Sequence, residues 1–230
     1  MVKQLKGLLY FFITDIRYNF IIFWSILLST MSVSLIAAYL LIQVGETKMI
    51  FVLSAAIYIF CGFIGFFTAK GQIPFAIKIG ATRKNLFISL GVFFLGLSIV
   101  KAILSNTVQL IMEKIFHVKT IVFMHPAQLL TDSWMTRITV DAMVMFCILA
   151  FTLLLGLLFY KYGLLGGGSV VGIVVIVLLL GTAQGWLIDF LVDTFQSMSI
   201  AFFYQILLMG IIFYGISWIL LRKIAIVNIK

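Results

Sequence analysis

Tyr18 to Gln43 reads YNFIIFWSILLSTMSVSLIAAYLLIQ, a stretch without a single charged side chain. A helix of about 20 such residues, rising 1.5 Å per residue, crosses roughly 30 Å of hydrocarbon. This run therefore places the chain in a membrane. Five more runs share its character: Met49 to Ala69, Asn85 to about Leu110, Ile138 to Tyr160, Gly163 to Ile188, and Ser199 to Leu221. Backbone groups in hydrocarbon have no water to bond, and these runs lack the alternation of barrel strands, so each is expected to be helical. The expected fold class is all-α integral membrane, a single transmembrane domain over residues 1–230 with spans at 18–43, 49–69, 85–110, 138–160, 163–188 and 199–221.

Composition agrees. Of 230 residues, 64% are hydrophobic and 10% are charged, whereas about a quarter of a soluble domain carries charge. The formal charge of +9 does not indicate nucleic acid, because Lys and Arg lie between apolar runs rather than on one face of a soluble core. Cys61 and Cys147 each sit inside an apolar run, as small buried hydrophobes do. The first run is longer than a signal-peptide core and no small-residue cleavage pattern follows it, so no removable leader is expected.

Alternate loops differ in basic charge. Lys3, Lys6, Arg17, Lys70, Lys78, Arg83, Lys84, Lys161, Arg222, Lys223 and Lys230 fall on one side; only Lys48, Lys114, Lys119 and Arg137 fall on the other. The positive-inside rule then places both termini in the cytoplasm of a multi-pass cell-membrane protein. Glu46, Glu113, Asp132, Asp189 and Asp193 lean outside. In residues 1–17, Leu5, Leu8, Leu9, Phe12 and Ile16 recur at helical spacing opposite Lys3, Lys6, Tyr10 and Arg17, the pattern of an amphipathic helix in the inner interface. Residues 112–137, with Phe116, Val118, Ile121, Val122 and Phe123, form an extracellular cap. Its Pro126 and Thr131/Asp132 suit a break before the fourth span.

The loop Lys70 to Phe87, KGQIPFAIKIGATRKNLF, sets Ile73, Phe75, Ala76 and Ile79 beside basic residues. A short amphipathic helix starting near Pro74 and closing at Gly80 is expected, with Thr82 or Asn85 opening the third span. A basic loop that merely fixes topology is the plainer alternative. Through Gly80, Ala81, Thr82, Arg83 and Lys84 this loop resembles the intracellular connection of type 2 ABC exporter permeases, where a short helix precedes a Gly-x-x-Arg-Lys-type turn. The six-span layout, the N-terminal interfacial helix, the FYKYGLLGGG crossing at Phe159 to Gly168 and the basic end after Trp218 also resemble that family.

The resemblance implies a permease subunit that forms a substrate pathway with a second permease copy or paralogue, driven by separate ABC ATPase subunits. Pro74, Phe75, Lys78, Gly80, Thr82, Arg83 and Lys84 would then be the ATPase-coupling residues. The chain lacks the Gly-x-x-x-x-Gly-Lys-Ser/Thr loop, so ATP and magnesium would be bound by the partner ATPase, and the chain itself would hold no cofactor and would not be an enzyme. An amphipathic or hydrophobic substrate is expected, a peptide, drug or lipid-like molecule, with peptide export and immunity as the nearest analogy. The alternative is an ATP-independent membrane scaffold or immunity protein. An intramembrane enzyme ranks lower, because the spans offer almost no convergent polar groups, and neither a filter loop nor an Arg ladder points to a channel.

Three further features invite a role. Gly163/Gly167, Gly168/Gly172 and Gly181/Gly185, each pair four apart, suit close helix packing within the bundle, with a dimer seam as the alternative. On that reading Gly168→Leu should disturb packing. Lys101 is the one basic residue inside a run; snorkelling to the outer interface is expected, and contact with an anionic lipid or peptide group is the alternative. His117 and His125 share the cap with Glu113 and Asp132 without a recognised metal spacing. Asp141, Asp189 and Asp193 read as solvated outer acids.

Overall fold

The computed structural model describes residues 2–42, 49–115, 121–130, 132–196 and 198–224. Glu46, Lys48, Phe116, His117, Val118, Lys119, Thr131 and Lys230, all assigned loop or terminal roles above, lie outside them. Of the described residues 90% are helical, so the all-α expectation holds apart from two three-residue strands. Among the described residues, five helices are long and apolar enough to cross a membrane.

Helix α1, Val2–Ile42, runs unbroken through the expected boundary between interfacial helix and first span. Its 41 residues extend about 61 Å at 1.5 Å each, twice the hydrocarbon thickness. No Pro interrupts it, and its only glycine, Gly7, lies in the second turn. The stripe of Leu8, Phe12 and Ile16 is buried against protein rather than laid on headgroups, with the Phe12 and Phe93 ring centroids 5.5 Å apart.

The second span also begins differently. Met49–Phe51 is a strand, β1, paired in parallel with β2, Ile121–Phe123, in register Met49 to Ile121. Each strand satisfies backbone groups that the other leaves open, and Phe51 and Phe123 pack across the pair at 5.7 Å. Helix α2, Leu53–Phe67, continues through a π-helical turn at Thr68–Gln72 into α3, Ile73–Lys78. The expected coupling helix is thus the continuation of the second span. Pro74 has no N–H to donate, and the wider turn before it, with Ile73 N–H on Thr68 O, carries the helix past that gap.

Helix α4, Arg83–Ile115, extends past the expected third span at both ends. Helix α5, Trp134–Ala183, starts from Ser133, whose Oγ accepts the Thr136 N–H at 3.1 Å, and not from the Thr131/Asp132 pair. At Gly163 its backbone turns to φ 67°, ψ −165°, which only glycine adopts readily, and the helix divides there. Helix α6, Trp186–Gln196, and helix α7, Ile200–Arg222, complete the chain.

The first half of α5 is the hub of the core. Gly65 on α2 and Gly156 on α5 mark its crossing with α2: a methyl group at Gly65 would meet Leu149 O at 2.6 Å, and one at Gly156 would meet Phe66 O at 2.7 Å. Gly210 lets α7 approach as closely, with Cys147 Cα 2.9 Å from where its Cβ would sit. Small residues at such crossings let backbones meet where no hydrophobic force separates helix from lipid. Both described chain ends and α3 gather at one end of the bundle, the base; β1, β2 and the turn at Pro126–Leu129 form the opposite end, the crown.

Candidate functional site

At the base, the residues of the 70–84 loop are held by contacts that the sequence did not announce. Helix α3 ends in a glycine cap in which Gly80, at φ 90°, donates to Ile77 O at 3.0 Å while Ala81 donates to Ala76 O at 3.0 Å. Gln4 of α1 bridges the turn: its Nε2 donates to Gly80 O at 3.1 Å, and its Oε1 accepts from Thr82 Oγ1 at 3.3 Å and from Asn85 Nδ2. Gln72 donates to Asp15 Oδ2 at 2.6 Å, and Phe75 stacks on Phe11 at 5.2 Å.

Arg83 reaches the other chain end, with Nη1 on Arg222 O at 2.6 Å and Nη2 on Ile224 O at 2.7 Å. It therefore caps the last carbonyl of α7 and one just past the helix end, a favourable place for a cation. Phe75, Lys78, Ile79 and Lys84 are exposed, as are Arg222 and Lys223 at the chain end that Arg83 reaches. Of the apolar face read from the loop, Ile73 and Ala76 turn inward, and Phe75 and Ile79 remain on the surface.

Toward the crown lies a polar column. Along α4, Lys101, Ser105, Gln109 and Glu113 recur every four residues, so they share one face, and the first three are buried. That face meets Asp141 and Arg137 of α5. Asp141 is 1% exposed and so is not the solvated acid expected from sequence. It accepts from Tyr58 Oη at 2.5 Å, from Asn106 Nδ2 at 2.7 Å and more weakly from Ser105 Oγ at 3.4 Å.

His125 approaches Asp141 from the crown. Its Nδ1 accepts the Ala127 N–H at 3.0 Å, which places the ring hydrogen on Nε2. Nε2 is 3.1 Å from Asp141 Oδ1 but off the line of a straight hydrogen bond, so the contact is chiefly electrostatic. A lone buried carboxylate would cost several kcal/mol; these donors from α2, α4 and the crown make it tenable. Above them Arg137 binds Asp132 through two nitrogens at 2.6 and 2.7 Å and Glu113 at 2.9 Å. The hydrogen bonds from Arg137 hold the Asp132 carboxyl below its ordinary value. No group of three metal-binding side chains occurs among the described residues.

Lys101 does not snorkel. It is fully buried, with Nζ 3.8 Å from the Phe60 ring centroid, 5.5 Å from Phe23, 5.8 Å from Phe20 and 3.9 Å from Cys61 Sγ. Its stem points back into the bundle, where ring faces attract a cation by about 2 kcal/mol when desolvated. A buried ion costs several, so the rings hold the charge without neutralising it. Among the described residues no carboxylate lies within ion-pair distance of it.

Phe23 and Phe60 stack face to face, centroids 3.9 Å apart and planes 3° apart. Their other neighbour is a groove of about 990 Å³ between α1 and α2, walled mainly by Phe and Ile side chains, with Asp15, Asn19, Lys70 and Gln72 toward the base.

The glycines of the fifth run do not form the expected packing face within the bundle. Among the described residues, nothing beyond the helix's own neighbouring backbone lies within 4 Å of where a Cβ would sit on Gly168 or Gly172. Gly167 lies under the Phe159 ring and Gly181 under Trp186, so they serve the turns at either end of that segment, as Gly163 and Gly185 do with φ of 67° and 84°. The glycines at helix crossings, Gly65, Gly156 and Gly210, are scattered singly, and spacing alone could not mark them.

The sequence missed the convergence of Tyr58, Ser105, Asn106, His125 and Asp141. A signal existed in the four-residue recurrence of polar side chains along α4, which on a lipid-facing helix would be unfavourable. Comparison with protein-family models, with curated proteins and with solved structures finds no match to this chain.

Proposed function

We propose that this chain is the permease subunit of an ATP-driven exporter of the type 2 ABC kind, crossing the membrane six times with both ends in the cytoplasm. A straight α5 of 50 residues would be about 75 Å long, well over twice the hydrocarbon depth. A reversal at Gly163 makes two spans of it and supports the count of six. The contact of Phe159 with Phe66 at 5.7 Å puts the end of its first half beside the base end of α2, in keeping with that path.

The observation that carries the reading is the tie at the base. The short helix α3 and its Gly80 turn are joined to α1 through Gln4 and to the end of α7 through Arg83. Force applied by an ATPase to the exposed Phe75, Lys78, Ile79 and Lys84 would reach α1, α2, α4 and α7 together. That is what a coupling element needs in order to bias two arrangements of the spans. Lys78 and Lys84 dock the partner, and Arg83 transmits.

The roles separate by mutation in the assembled complex. Lys78→Glu with Lys84→Glu should reduce recovery of the ATPase about tenfold. Arg83→Gln should leave the ATPase bound and uncouple its hydrolysis from substrate. Normal assembly of the doubly reversed protein, with its transmembrane orientation verified because the same charges help set it, would remove the loop from the mechanism.

A further inference from the structure

We propose that the groove between α1 and α2 admits an amphipathic molecule with one anionic head, in its simplest form a long-chain carboxylate, and that Lys101 receives the head. The wall is apolar, and Phe63 and Phe67 on it are 57% and 60% exposed, so a hydrocarbon chain can enter sideways from the bilayer. From Phe75 to Phe60 the groove follows about 22 Å of helix, enough for an extended chain.

Its two ends differ in net charge and availability. Near the base the charges of Asp15 and Lys70, both on the groove wall, offset each other, and Asp15 already accepts from Gln72 at 2.6 Å. Farther along, the stacked rings of Phe23 and Phe60 both line the groove and contact the Lys101 ammonium, at 5.5 and 3.8 Å from their centroids. A rotation of Phe60 about its side-chain bonds would open the ammonium to the groove. The carboxylate then supplies the negative charge that no described side chain gives Lys101, and the charge-assisted bond replaces a ring contact.

An intramembrane charge held among rings is costly unless it is used. The groove is the volume beside it that can bring a partner. The inference gives the proposed exporter its substrate class, but the site itself stands or falls on binding to the subunit alone.

The test is equilibrium binding of radiolabelled oleate and oleyl alcohol to the purified subunit in phosphatidylcholine nanodiscs, with empty nanodiscs subtracted. Oleate should bind saturably and about tenfold more tightly than the alcohol. Lys101→Gln should abolish that preference and Lys101→Arg retain it. Phe60→Ala, which removes the shield and keeps the charge, should tighten oleate binding about threefold, an outcome that does not depend on whether the Lys101 variants fold. Equal binding of acid and alcohol, a preference that survives Lys101→Gln, or unchanged affinity in Phe60→Ala would overturn the proposal. Binding through Lys101 by a subunit that recruits no ATPase would sink the exporter reading and leave this site standing.

Discussion

The two halves of α5 are made of similar residues and have opposite surroundings. Before Gly163 the helix is the hub of the bundle: Leu149, Leu153 and Leu157 are buried, Gly156 lies against the α2 backbone, and Asp141 anchors donors from α2 and α4. After Gly163 nearly every apolar side chain from Leu164 to Leu180 is exposed, and no other described segment comes within 4 Å of a Cβ position on Gly168 or Gly172. Hydropathy cannot tell these halves apart, because lipid and protein interior are equally apolar. What distinguishes them is the position of small and polar residues. The first half has them where another backbone or a donor lies opposite; the second has them at its turns or on an open face.

The contrast can be broken most severely at Gly156. A leucine there would drive its side chain into Phe66 and Ala69, atoms that cannot move aside, and should cost about 3 kcal/mol or more, seen as loss of monodisperse protein in size-exclusion chromatography. Asp141→Leu should come next. It leaves the Tyr58 hydroxyl without its acceptor and the buried Asn106 amide with only Ala102 O to donate to, a loss of about 2–3 kcal/mol, read as a lower melting temperature in detergent.

Gly163→Ala should cost less, about 1–2 kcal/mol, because it strains one residue at positive φ without touching the core. The same thermal measurement checks it. Gly168→Leu should change stability by less than about 0.5 kcal/mol, contrary to the packing role its spacing suggests. A drop as large as that of Gly156→Leu would mean that the second half of α5 is packed against something outside this chain, and cross-linking of the membrane-embedded protein would then identify it.

Much of this was legible in the sequence and some was not. The apolar runs marked the long helices, and Gly80 marked the close of α3 because it acts through its own backbone, whereas Pro74 lies in a helix that continues from α2 and does not start one. Boundaries that depend on absence were harder. Nothing between Leu8 and Ile42 stops a helix, so α1 runs through where a change in amphipathic pattern suggested a joint. Partners distant in sequence were not legible. Tyr58 and Asp141 are 83 positions apart, and periodicity shows which face a residue occupies but not what stands opposite. Lys101 was misplaced for the same reason: its depth along α4 was readable, but the three phenylalanines that enclose it come from α1 and α2.

The exporter reading requires that the base of the bundle receive an ATPase. The most direct measurement is purification of the tagged subunit from its native membrane in mild detergent, with identification of co-purified chains and assay of ATP hydrolysis. Recovery of an ABC ATPase, with hydrolysis present in the wild-type complex and the ATPase lost on reversal of Lys78 and Lys84, is the predicted result. A well-folded subunit that comes down alone, or only with proteins that do not hydrolyse ATP, would contradict the claim and favour a scaffold or immunity protein that works without ATP.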